Sequence, residues 1–248
     1  SARGLGISVE ELDFGNAPPD PQRLADRLAQ DHERRIRAVL VCHVDTASSA
    51  RADIPALRRA MGDHPAFFAV DAIASLGCDA MHMDDWGVDL LVSASQKGLM
   101  TPPGLAFVWI SERLRTREKS DLTTPYWDWA PRIAAQELWQ YWDGTPPVQH
   151  IFGMTEALRM LDEETLPKVW ARHQGLARAT WAALDAWGAG GTGIAPVQAD
   201  PAARAHAVTA ATLPGATRLR EWTQTQAGVT LGIGLGAADP DNALRIAH

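Results

Sequence analysis

Apolar positions arrive in two rhythms along the first half of this chain. Residues 38–43 and 67–70 are unbroken apolar runs, and 90–92 and 105–110 repeat the pattern, as strands do. Between them, 54–61 carries apolar residues at helical spacing. The run 38–43 predicts a strand buried on both faces. Strands alternating with helices predict an α/β fold around a mostly parallel sheet. Ligands in such sheets sit beyond the carboxyl ends of the strands. Thr46, Asp71 and Lys97 each follow or close one of these runs.

The pattern changes after residue 120. Pro125-Tyr126-Trp127-Asp128-Trp129-Ala130-Pro131 is an aromatic loop bounded by prolines, and its rings read most simply as buried packing. Ile151, Met154, Leu158 and Leu161 make one helical face, Pro167 breaks it, and a second helix is expected to run to about Trp187. Gly188–Gly193 reads as a hinge or turn, followed by a strand at 207–213, a helix at 218–226 and a glycine-rich strand-like stretch at 229–235. The last residues, Arg245-Ile246-Ala247-His248, read as part of a strand. The expected division is a large domain over 1–153 and a small α+β domain over 154–248. Internal repeats and low-complexity tracts are absent from the sequence.

Composition narrows the function classes. At 248 residues, 46% hydrophobic and 21% charged, the chain is globular in character. Its net charge of −7, with no basic run interleaved with aromatics, argues against a nucleic-acid partner. Cys42 and Cys78 form neither a disulfide framework nor a metal-type spacing, which fits a reducing, cytoplasmic setting. Apolar runs fall short of a membrane span. Ser1-Ala2-Arg3-Gly4 is not a signal peptide, and both ends read as cut.

The candidate chemistry lies in Ser93-Ala94-Ser95-Gln96-Lys97-Gly98 and the following Pro102-Pro103-Gly104-Leu105. A lysine stands in a tight polar turn after a strand, and Asp71 closes another. An amine that becomes a nucleophile on losing its proton, with a carboxylate to face a pyridinium nitrogen, is the pair that pyridoxal 5′-phosphate (PLP) chemistry requires. Each residue has a plainer reading alone. Lys97 could be a solvated turn residue, Asp71 a helix N-cap and Thr46 an ST-turn residue. His43 and Asp45, as His-x-Asp, are a weak metal signal, and His82-Met83-Asp84-Asp85 reads as a polar loop. Thr145, with Pro146 and Pro147, could be an N-cap followed by proline at the first helical position.

Together these stretches resemble the class V, fold-type I PLP-dependent aminotransferases, and most of all the serine–glyoxylate and alanine–glyoxylate branches. The matching segments are 39–46, 71–77, 85–89, Ser93–Gly98 with Pro102–Leu105, Gly234-Leu235-Gly236 and Arg245-Ile246. The resemblance implies a PLP large domain, with its N-terminal part outside this chain, and a partial small domain. It implies that Lys97 carries PLP and shuttles a proton, and that Asp71 bonds the ring nitrogen. Ile73 would pack under the ring, Thr46 would bond the ring oxygen and Gln96 would contact the phosphate. Thr145 would reach the phosphate of a neighbouring subunit, making a homodimer, and Arg245 would clamp the substrate carboxylate. No metal is implied.

The chain departs from that pattern at Asp45, usually Glu, and at Ala47-Ser48-Ser49, usually Ser-Thr-Gly. Trp142 stands in place of a tyrosine and Ala247 in place of a glycine. The expected activity is transamination of small amino acids with 2-oxo acids, with serine or alanine as donor and glyoxylate as acceptor. The alternatives are another class V branch, desulfurase-like or aminotransferase, and a non-catalytic relic. Gln96 before the lysine, and Cys42 within an expected buried strand, disfavour the desulfurase.

Overall fold

In the computed structural model, which describes residues 2–117 and 126–248, a pair of long helices links two four-stranded sheets. The first element, α1 (Pro21–Ala29), lies upstream of the elements expected from the sequence. Its signal is nonetheless local: Asp20 accepts from the Gln22 amide as N-cap, Pro21 opens the helix, and Leu24 and Leu28 bury one face.

The first sheet comprises β1 (Ala38–Cys42), β2 (Phe67–Asp71), β3 (Leu90–Ala94) and β4 (Ala106–Ile110), in that order. The first three are parallel and β4 is antiparallel to β3. Cys42 pairs with Asp71, and Asp71 with Val92, so the carboxyl ends of the three parallel strands stand nearly level. Between β1 and β2 runs α2 (Ile54–Met61), capped by Asp53, which accepts from the Ala56 amide.

Side chains alternate across a strand, and here the two faces differ. Val39, Val41, Phe68, Val70 and Leu91 pack against Leu24 and Leu28 of α1 and against Ile54, Leu57 and Met61 of α2. On the opposite face Ala38, Leu40 and Cys42 are exposed, Leu40 at 77%. The expectation of a strand buried on both faces is therefore corrected. A single layer, α1 and α2, covers β1 among the described residues, so Cys42 is exposed as well.

Two short helices follow, α3 (Glu112–Arg115) and α4 (Ala130–Ile133). The aromatic loop is not buried packing: Tyr126 is 61% and Trp127 71% exposed. Arg132 lies over the Tyr126 ring and pairs with Asp143, which holds the segment without enclosing it. Pro125 lies outside the described residues.

The long helices α5 (Val148–Glu164) and α6 (Leu166–Trp187) meet at Thr165, at a φ of 70°. Pro167 occupies the first turn of α6, where its missing N–H has no intrahelical partner to lose. α5 starts at Val148 with no side-chain cap, so Thr145 is not its N-cap and Pro146 is not in the helix. Pro147 disfavours helical geometry at the residue before it, which delays the start.

The second sheet has the order β5 (Ala195–Pro196), β6 (Val208–Thr212), β8 (Ala243–Ala247), β7 (Gly232–Ile233), all antiparallel. Helix α7 (Ala216–Trp222) packs on it, with Leu184, Ile194, Ala211, Ala216 and Leu244 forming the core. The stretch 229–235 yields just the two residues of β7. Among the described residues, no helix is long and apolar enough to cross a membrane.

Candidate active site

The carboxyl ends of β1, β2 and β3 form a rim. Beyond β1, the Asp45 carboxylate accepts from the Ala47 and Ser48 amides and the Ser48 hydroxyl. Burial works to raise its pKa, but these bonds and nearby Arg245 prevail and hold it below the usual carboxylate range. Asp45, rather than Thr46, makes the turn. The Thr46 hydroxyl has no hydrogen-bond partner among the described residues.

Asp71 ends β2. Its Oδ1 accepts from the Ile73 amide at 2.8 Å, an Asx turn that fixes the carboxylate. No helix follows, so this is not an N-cap. Oδ2 receives no hydrogen bond among the described residues, and Ile73 is half-buried two positions on.

Gln96 and Lys97 follow β3 in a closed loop. The Ser95 hydroxyl donates to the Pro102 carbonyl at 2.7 Å, and Ser95 and Leu105 exchange further bonds across the loop. The Thr101 amide and hydroxyl both donate to the Ser95 carbonyl. Gly98 then presses against the segment that follows Asp71. A Cβ on Gly98 would strike the Leu76 carbonyl and lie 2.9 Å from Cys78 Sγ. A Cβ on Gly77, at φ +89°, would lie 2.7 Å from the Gly98 carbonyl. These glycines permit a backbone approach that ties the lysine turn to the aspartate strand. Neither glycine was among the expected site residues, and their signal is the contact itself rather than a local pattern. Lys97 and Gln96 are exposed, the Lys97 carbonyl accepts from the Met100 amide, and the Lys97 amine has no ion pair or hydrogen bond among the described residues.

Arg245 reaches this rim from the second sheet. Its Nη1 donates to the Thr46 carbonyl at 3.3 Å and its Nε to the Ile233 carbonyl at 2.8 Å. Gly236 fits against Ala47, where a Cβ would sit 3.2 Å from the Ala47 Cβ. Thr145 stands apart on an exposed turn, with no bond to these groups among the described residues. Trp142 packs beside the core of Leu99, Leu105 and Met154.

Behind the rim runs a buried polar seam, of which the sequence reading singled out His43 and Cys78 but neither Asp79 nor His206. Asp79, 1% exposed, holds His206 Nδ1 at 2.6 Å and accepts from the His206 amide. His43 Nδ1 is 2.9 Å from the Ser75 hydroxyl, and burial lowers its pKa to about 4. Burial also pushes the Cys78 thiol up to about 11, so it is no thiolate nucleophile at neutral pH. Among the described residues, His, Cys, Asp and Glu side chains form no metal-holding cluster.

One rim thus presents an unpaired amine, a carboxylate with a free oxygen, a free hydroxyl and a guanidinium. That set suits a ligand with a protonated ring nitrogen, a ring oxygen and a carbonyl carbon open to an amine.

Residues 11–221 match the family described as Aminotransferase class-V. A serine–glyoxylate aminotransferase of Arabidopsis thaliana is 36% identical over 187 residues, 74% of this chain and 46% of that protein. An L-aspartate–glyoxylate aminotransferase of Paracoccus denitrificans is 37% identical over 190 residues, 75% of this chain and 47% of that protein. The crystal structure of pyridoxamine–pyruvate aminotransferase from Mesorhizobium loti superposes with a TM-score of 0.78 at 30% identity, covering 94% of this chain and 59% of that one. The chain spans about half the length of the curated relatives it matches.

Proposed function

The chain belongs to the class-V aminotransferase family, and on that premise we propose that the whole protein is a PLP-dependent aminotransferase, with glyoxylate as amino acceptor and serine or alanine as donor. Lys97 and Asp71, both with open valences and both held on one rim, carry this assignment. The residues present fit the cofactor. Asp71 Oδ2 is free to accept from the ring nitrogen, Thr46 to bond the ring oxygen, Ile73 to pack below the ring and Gln96 to contact the phosphate. Lys97 is the amine that would carry it. When bound, PLP supplies an electron sink for the pair released at the substrate Cα.

The chain's own groups do the rest. Arg245 binds the substrate carboxylate through its planar fork, held by the Ile233 and Thr46 carbonyls. Lys97 Nζ, freed when the substrate amine takes its place, would take and return the proton at Cα. The loop closed by Ser95 and the Gly98 contact fix the backbone that carries that amine, which limits the motion lost at the moment of transfer. Donor and acceptor visit the site in turn, and one clamp serves both. Thr145 is exposed and bonds to none of these groups among the described residues, which leaves it free, in a homodimer, to serve the phosphate of the neighbouring subunit.

The test is amino transfer by the intact, PLP-loaded protein with serine, alanine or aspartate as donor and glyoxylate or 2-oxoglutarate as acceptor. Glycine should form from glyoxylate with serine or alanine. A preference for 2-oxoglutarate, or for aspartate, would overturn the assignment of substrates.

A further inference from the structure

On the far side of the 45–52 loop lies a cleft of about 420 Å³. One wall is a single face of α6, formed by Gln174, Arg178, Trp181 and Asp185. The other wall is Arg51 together with Pro201–His206. Three guanidinium groups therefore face one carboxylate, in a chain whose net charge is −7.

The guanidinium groups are incompletely neutralised. Arg204 is 7% exposed, stacks over the Trp181 ring at 5.4 Å and spends its donors on the Gln198 and Ala199 carbonyls, neither of which carries a charge. Arg51 bonds the Ala202 carbonyl at 3.3 Å, and its buried Nε has no hydrogen-bond partner among the described residues. It pairs at 3.9 Å with the buried Asp79 carboxylate, which it shares with His206, so its charge is only partly met. Arg178 is exposed, and its guanidinium has no ion pair or hydrogen bond among the described residues. Unneutralised like charges around a concave, partly buried space are costly unless an anion shares it.

We propose that this cleft is a second ligand site that takes a small polyanion, a phosphate or a compact dicarboxylate, bridging Arg51, Arg178 and Arg204. It is separate from the substrate clamp: neither Thr46 nor Arg245 lines it. It shares one element with the rim, however. The Arg51 amide donates to the Ala203 carbonyl and the Ala205 amide to the Ser49 carbonyl, so the loop that begins at Thr46 ends in the cleft wall. A polyanion bound there braces α6, this loop and the 201–206 segment against one another, and the intact protein gains stability by mass action.

Calorimetric titration of the intact, PLP-loaded protein with inorganic phosphate, malonate and, as a monoanion control, acetate tests the site. Phosphate or malonate should bind and raise the thermal midpoint, and acetate should bind at least tenfold more weakly. Arg178→Ala should weaken this binding at least tenfold while kcat/KM for amino transfer in anion-free buffer stays within twofold. Arg178→Lys should recover part of the affinity. Arg245→Ala should remove any carboxylate binding at the substrate clamp and leave the phosphate titration unchanged, which separates the cleft from that clamp. The readout is heat and thermal midpoint, so it stands even if the protein carries no amino-transfer activity. No binding of either polyanion, equal binding of acetate, or an unaltered titration in Arg178→Ala would overturn the proposal.

Discussion

Arg245 donates from Nη1 to the carbonyl of Thr46, 199 residues away in the sequence. The bond joins the second sheet to the loop that leaves β1. It also points the guanidinium of one unit at the strand ends of the other.

If Arg245 clamps the carboxylate of both substrates, Arg245→Ala should impair donor and acceptor alike. Loss of a charge-assisted bidentate pair in a dry site costs about 2–5 kcal/mol, roughly 30-fold or more in kcat/KM. Steady-state kinetics with each substrate varied would check this. A defect confined to one half-reaction would remove Arg245 from the shared role.

Gly98→Ala should destabilise the protein by about 1–3 kcal/mol, the usual cost of forcing extra volume into a packed region. The added methyl meets the Leu76 carbonyl, and backbone cannot swing aside as a side chain can. An unchanged urea midpoint would mean that the turn carrying Lys97 is not locked against residues 76–78.

Asp89 is 4% exposed and is held by Arg113, the Ser111 hydroxyl and the Phe68 amide. Arg113→Ala should cost about 3 kcal/mol, because a buried carboxylate loses the cation paired with it. Asp89→Asn in the same background should restore part of the loss. Chemical denaturation of the single and double variants would measure both.

Acid should weaken the fold through His43. Its pKa falls from 6.5 in the unfolded chain to about 4 when buried, so the unfolded chain binds the extra proton first. Stability is therefore full above about pH 6.5 and declines as pH falls toward 4, by up to about 3 kcal/mol from this group. His173 and His248, both lowered chiefly by burial, act in the same direction. His43→Gln should flatten the decline of the urea midpoint between pH 6.5 and 4.5. An equally steep decline in the variant would contradict this.

If Thr145 serves the neighbouring subunit's phosphate, mixing inactive Lys97→Ala and Thr145→Glu proteins under subunit exchange should restore activity. The mixed dimer has one site with both lesions and one with neither. Demonstrated exchange without recovery would place Thr145 within its own subunit.

The elements were legible where the code is local. α2 spans the same residues that helical spacing predicts, and β2 to β4 lie within two residues of their apolar runs. The placement of Thr46, Asp71 and Lys97 beyond or at the strand ends was legible because each follows or closes an apolar run. What escaped depends on partners distant in the chain. The run at 38–43 reads the same whether one or two layers cover it, so the exposure of Leu40 and Cys42 was not written in it. The contact between Gly77 and Gly98, and the pairing of Asp79 with His206, arise when remote segments pack, and no period in the sequence encodes them.

Borohydride reduction of the intact protein with PLP, followed by peptide mapping, tests the central claim most directly. The label should appear on the peptide containing Lys97 and disappear in Lys97→Ala, while Lys168 stays unlabelled. Label on another lysine, or none at saturating PLP, would contradict the assignment of Lys97 as the residue that holds the cofactor.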